Sequence, residues 1–101
     1  MKYIVTNNQL YKLMMDYLND FHRDNVESEF DSFIIIQGRN EDEDDLDIML
    51  EFDSEDNRLY IDKSFLDTFS MLFPLDIEDS QEFIKDWFEW KFGVEIKYIQ
   101  S

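Results

Sequence analysis

The sequence predicts an α+β domain in the order αβββααβ, an antiparallel sheet of about four strands with helices packed on one face. Three observations carry this: a helical apolar period near the start of the chain, strict apolar/acidic alternation around residue 50, and two aromatic-rich helical stretches between residues 62 and 93. The 101 residues are one domain's worth, so residues 1–101 read as a single domain. A formal charge of −16 would by itself suggest disorder, but 44% apolar and 17% aromatic residues supply enough core-forming side chains to fold.

Residues 6–22 read as an amphipathic helix, because Leu10, Leu13, Met14, Tyr17, Leu18 and Phe21 recur at three and four residues. Thr6 followed by Gln9 has capping-box spacing at its start. Lys2 to Val5 reads either as a short edge strand or as an ordered tail. Residues 30–38 hold a β-branched run that ends at Gly38, the signature of a strand buried on both faces. From Asp45 to Asp53 the chain alternates, with Leu46, Ile48, Leu50 and Phe52 on one face and Asp45, Asp47, Met49, Glu51 and Asp53 on the other. Asn40 to Asp45 is the charged hairpin loop before it. Residues 54–57 form a turn, and Arg58 to Ile61 return as the third strand of a meander.

Asp62 or Ser64 caps the next helix, which buries Phe65, Leu66, Phe69, Leu72 and Phe73 and stops at Pro74. A third helix starts at Asp79 or Ser80, where Asp79 and Glu82 repeat the capping spacing, and runs to Phe92 with Gly93 beyond its end. Val94, Ile96 and Tyr98 alternate with Glu95 and Lys97 as a closing strand.

Composition bounds the function. Twenty-five acidic residues against nine basic ones exclude a surface that binds nucleic acid by neutralising phosphates, so no direct nucleic-acid binding is expected. The absence of cysteine excludes disulfides and thiolate metal sites. The first residues turn polar too soon for a secretory leader, and no apolar stretch approaches the length of a spanning helix. The expectation is therefore a cytoplasmic protein that uses no membrane. His22 is the one imidazole, placed beside Arg23 and Asp24 at a helix end, where its charge suits the helix dipole. With no cysteine, no second histidine and no Gly-x-Ser-x-Gly turn, no catalytic triad can be placed, and two glycines cannot build a phosphate loop. No enzyme activity and no cofactor are expected.

Two features remain. Between Arg39 and Arg58 lie ten acids and no cation. The plain reading is a solvated hairpin whose charge discourages edge pairing. A calcium loop is the first alternative, since Asn40, Asp42, Asp44 and Glu51 match EF-hand ligand positions; Asp45, standing where that loop needs glycine, and the strand period both speak against it. The second alternative is mimicry of nucleic acid. Alternate strand residues are about 6.7 Å apart and one DNA strand carries a charge every ~3.4 Å, so a single acidic strand face has roughly half that charge density.

The second feature is the helix from Gln81 to Phe92, whose Phe83, Ile84, Trp87, Phe88, Trp90 and Phe92 cover more than one 100°-wide stripe. Either the core takes them all or some remain exposed as contact anchors, Trp90 first among them. Trp87, Trp90, Phe92, Asp45, Asp47, Glu51 and Asp53 are thus the candidate interaction residues.

The opening Lys2-Tyr3-Ile4-Val5-Thr6-Asn7-Asn8-Gln9-Leu10 resembles the KYI(I/V)TE-x-Q-L start of small proteins encoded by marine tailed phages and their metagenomic relatives, with Asn7 in place of the glutamate. Phe69-Ser70-Met71-Leu72-Phe73, Ile84 to Trp87 and the strand from Val94 to Ile99 are similar to the FSL…I…W pattern near the end of some of them. That family has no assigned activity, so no residue role carries over. The resemblance implies a phage or environmental origin, a host-cell cytoplasmic location and a protein that acts on a host or virion protein. The function expected is a non-enzymatic protein-binding module, with a protein partner or a second copy as its target. A nucleic-acid mimic that blocks the basic groove of a host protein is the alternative.

Overall fold

The structure, a computed structural model, describes residues 8–39 and 46–101. The readings made of Lys2 to Val5, of the Thr6 cap and of the loop from Asn40 to Asp45, including Asp45 itself, lie outside the described residues. The described chain runs α1 (Asn8–Asp24), β1 (Val26–Phe30), β2 (Phe33–Arg39), β3 (Leu46–Asp53), β4 (Arg58–Ile61), α2 (Lys63–Leu72), α3 (Ile77–Phe92) and β5 (Tyr98–Gln100). The class is α+β as expected, but the order is αββββααβ and the sheet is mixed, with five strands in the order β1-β2-β3-β4-β5.

The additional strand, Val26–Phe30, lies almost wholly before residues 30–38, which read as one strand, and a turn inside that run separates it from β2. Asp31 and Ser32 form a two-residue turn, with Asp31 at a φ of 51°, and Phe30 pairs directly with Phe33. Aspartate tolerates the left-handed region better than most residues, and the hairpin needs it there. The β3–β4 turn over residues 54–57 is where the sequence places it, with Asn57 at a φ of 54°.

Helix α1 buries Met14 and Leu18 fully and Leu10, Tyr17 and Phe21 in part; Leu13 falls at the edge of the stripe and is exposed. Helix α2 begins at its Asp62 cap, whose carboxylate accepts from the Phe65 N–H at 3.1 Å. Leu72, read as inward, is exposed, because the helix ends there and only Phe65, Leu66 and Phe69 are buried. Helix α3 starts at Ile77, earlier than expected. Asp76 has the same three-residue capping offset to Asp79 that Asp79 has to Glu82, and it is Asp76 that accepts from the Asp79 N–H at 2.7 Å. Gly93 closes α3 in the left-handed conformation, φ 65°, which glycine adopts without a Cβ clash.

The closing segment differs most. Val94 to Lys97 are not a strand: the Ile96 N–H donates to the Glu89 carboxylate at 2.7 Å and the Ile96 side chain is buried. Only Tyr98–Gln100 pairs, and it runs parallel to β4. The two intervening helices act as a crossover, which lets the returning strand lie in the same direction.

One core joins these elements. Met14 and Leu18 of α1, Ile36, Leu50, Phe52, Leu59 and Ile61 of the strands, and Phe65, Phe69, Phe83, Ile84, Trp87 and Phe88 of α2 and α3 form a single buried cluster. Each such side chain gains about 1.5–3 kcal/mol on leaving water. The helices thus cover the sheet face that carries Ile36, Leu50, Phe52, Leu59 and Ile61.

A β-bulge breaks the alternation of β3. Ile36 pairs with Leu50 and Gln37 with Ile48, so Met49 is the extra residue. Met49 packs against the core, while Ile48 turns outward beside Glu51 and Tyr60. Leu50 and Phe52 point inward as expected; Leu46 and Ile48 do not, because one inserted residue exchanges their faces. Asp47, expected on the outer face, pairs with Gly38 two residues from the inward Ile36, yet still lines the concavity beside Leu46 and Ile48.

Candidate functional site

Two surfaces carry the candidate residues. The first is the solvent side of α3. Trp87 and Trp90 are three residues apart, yet Trp87 is 1% exposed and Trp90 63%. Trp87 donates its indole N–H to Asn19 Oδ1 at 2.9 Å, which ties α3 to α1 and satisfies a polar atom that burial would otherwise strand. It is therefore built into the core. Phe92 is half-buried, its ring 4.4 Å from that of Phe88 and 5.2 Å from that of His22, so it closes the end of the core. Trp90 stands free of the core, with Lys91 Nζ 5.6 Å from its ring centroid. A cleft of about 160 Å³ runs beside it, lined by Tyr11, Met15, Asp86, Trp87 and Trp90. Tyr11 is itself largely exposed and makes an edge contact with Phe83, 5.6 Å between centroids. This rim is apolar in the middle and acidic at one side.

The second surface is the sheet face that the helices leave uncovered. Pairing places Phe30, Phe33, Asp53, Arg58 and Tyr98 in one row across it, and Ser28, Ile35, Glu51, Tyr60 and Gln100 in the next. Asp47 and Glu51 line an open concavity of about 710 Å³ with Gln37, Leu46, Ile48, Tyr60 and Asp62. Asp53 is committed to the β3–β4 turn, where its Oδ1 accepts from the Glu55 N–H at 3.0 Å and from the Ser32 hydroxyl at 3.4 Å. Arg58 sits among these acids, 3.7 Å from Asp56. The structure thus brings Asp47 and Glu51 to one concavity and leaves Asp53 next to it in a structural role.

The apolar half of this face escaped the sequence reading. Phe30, Val26, Leu46 and Tyr98 are exposed there and Phe33 and Ile48 half-buried. The signal that could have found it is the Asp31-Ser32 pair between two phenylalanines, which reads as a hairpin turn once the run is split there.

His22 joins the end of α1 to β1 through a 2.6 Å contact between its Nε2 and Glu27 Oε1. Its ring rests against Trp87 and Phe92, which is a packing position. Asp79 and Ser80 are buried in the first turn of α3, and among the described residues Asp79 Oδ1 and Ser80 Oγ lack hydrogen-bond partners. Burial pushes the Asp79 carboxyl above the usual carboxylate range, and the neighbouring Asp76 and Glu78 charges push the same way. Among the described residues no group of three or more His, Asp or Glu is placed to hold a metal ion, and no helix is long and apolar enough to cross a membrane. No protein-family model matches the chain, nor does any curated protein or solved structure.

Proposed function

We propose that the protein is a non-enzymatic binding module that contacts another protein through the Trp90 rim of α3, and that it comes from a phage or an environmental microbe. The observation that carries this reading is the exposure of Trp90 beside the Tyr11–Met15 cleft, on a helix whose other large aromatics are buried or half-buried. A tryptophan that keeps most of its surface in water offers a large, rigid contact area. The uncovered sheet face, with Asp47 and Glu51 in its concavity, supplies an acidic surface on the same molecule.

Mimicry of nucleic acid is the competing reading, supported by the acids of that concavity. Ile35, Ile48, Tyr60 and Arg58 interrupt them, so the carboxylates do not form a continuous charged row.

Salt separates the two. A partner held by charge is lost by about 0.5 M salt, where the Debye length is below about 5 Å; one held by a desolvated aromatic contact persists. Trp90→Ala is expected to leave the melting temperature within about 2 °C of the parent and to abolish association, whether with a partner in pull-down or with a second copy in sedimentation. Association unchanged in Trp90→Ala overturns the reading.

A further inference from the structure

We infer that the open edge of β1 is a docking strand for an extended peptide of another protein in which basic and apolar residues alternate. This surface is separate from the Trp90 rim and does not depend on it.

The backbone makes the edge available. In a two-residue hairpin the pair that closes the turn is hydrogen-bonded, and such pairs alternate along the ladder. Phe30, Ser28 and Val26 therefore turn their N–H and C=O groups toward β2, and Glu27 and Glu29 turn theirs away from it. Among the described residues no strand pairs with that side. An added strand of five residues would satisfy these groups over roughly 17 Å.

The side chains state what the added strand must carry. Val26 and Phe30 are 46% and 56% exposed on the uncovered sheet face. Glu27 and Glu29 point to the other face, toward the α1 end, where Glu27 contacts His22 and Glu29 has no ion-pair partner among the described residues. Directly opposed residues on neighbouring strands share a face and interact. The complementary strand is thus apolar, basic, any residue, basic, apolar: two cations at i and i+2 opposite the two glutamates, and apolar ends against Val26 and Phe30.

The same charges argue against a second copy. Antiparallel pairing of two β1 edges about Ser28 would set Glu27 of one chain opposite Glu29 of the other, twice over, and like charges directly opposite repel. Among the described residues the edge is closed to itself and open to a basic partner.

The test uses the full chain and two nine-residue peptides of identical composition, followed by fluorescence anisotropy at low and physiological salt. One has lysines at alternate positions between valines; in the other the lysines are adjacent. The alternating peptide is expected to bind at least roughly tenfold more tightly, the scale of two cross-strand charge pairs plus register. N-methylation of the two residues opposite Glu27 and Glu29 is expected to abolish the difference. Glu29→Pro removes an outward N–H and blocks strand addition, while its own ladder bonds to β2 are not affected, so it should melt like the parent and bind neither peptide specifically. If Glu29→Pro fails to fold, Glu29→Lys serves, with preference transferred to a peptide that carries glutamates. Equal binding of the two lysine peptides means diffuse attraction to a −16 protein and overturns the inference, as does self-association of the parent chain that Glu29→Pro abolishes. Trp90→Ala should change none of these results, which keeps this outcome distinct from that of the rim.

Discussion

The two faces of the sheet use alternate residues of the same strands and meet different fates. On the helix side Ile36, Leu50, Phe52, Leu59 and Ile61 are buried to 1% exposure or less; on the other side Phe30, Leu46 and Tyr98 keep more than 40% of their surface in water. Polarity separates the two faces only in part: Ser28, Glu51, Asp53, Arg58 and Gln100 stand on the uncovered side, but so do Phe30, Leu46 and Tyr98. What distinguishes them is the arrival of three apolar helix stripes on one side. The lesson is that the covered face holds the fold together and the uncovered face is left available for contact.

That contrast can be broken by substitution. Phe52 is fully buried with its ring 5.9 Å from Phe88, so Phe52→Ala should cost about 3–5 kcal/mol in urea titration, through lost transfer energy and a residual cavity. Such a loss is a large part of the stability of a domain this size. A loss below about 1 kcal/mol would mean the covered face is not the core.

The next effect is smaller and concerns the buried polar turn of α3. Because the folded-state pKa of Asp79 lies above its ordinary value of 3.8, folding favours its protonated form. Its contribution is fully favourable below that ordinary value and is lost as pH rises through the raised value. Stability should therefore increase as pH falls through the raised value toward 3.8, and self-repulsion at −16 acts in the same direction. Asp79→Asn should raise the melting temperature at pH 7 and flatten its rise with acidification relative to the parent. An equal pH slope in both proteins would show that the buried carboxylate is not the titrating group.

The smallest effect sharpens the other side of the comparison. Phe30→Ala removes an exposed ring whose one aromatic contact among the described residues is Phe33 at 5.9 Å, and it should shift stability by less than about 1 kcal/mol in the same urea titration. Were Phe30→Ala to cost as much as Phe52→Ala, the two faces would be energetically alike.

Much of this was legible where the signal is local. The period of Met14, Leu18 and Phe21, Pro74 after α2 and Gly93 after α3 each depend on neighbours a few residues away, and each is found as read; of the two caps read before α2, Asp62 is the one that forms. So is the exposure of Trp90. The start of α3 was misplaced because Asp76 and Asp79 offer the same spacing, and only the amide that is actually bonded chooses between them. The burial of Trp87 could not be read from its helix. Stripe positions three apart differ by about 60° around the axis, and which of the two faces inward depends on where Asn19 and the sheet lie.

Apolar period, caps and turn residues thus dictate nearly every element, because those energies are set within one turn or one hairpin. The Met49 bulge, the parallel sense of β5 and the exposure of Phe30, Leu46 and Tyr98 emerge only on assembly. Each depends on partners distant along the chain: Gln37 opposite Ile48, two helices spanning the way from β4 to β5, and three stripes that converge on one side of the sheet. Burial is a property of the packed whole, and so the residues left in water, from which any binding surface must be drawn, are known only once it has formed.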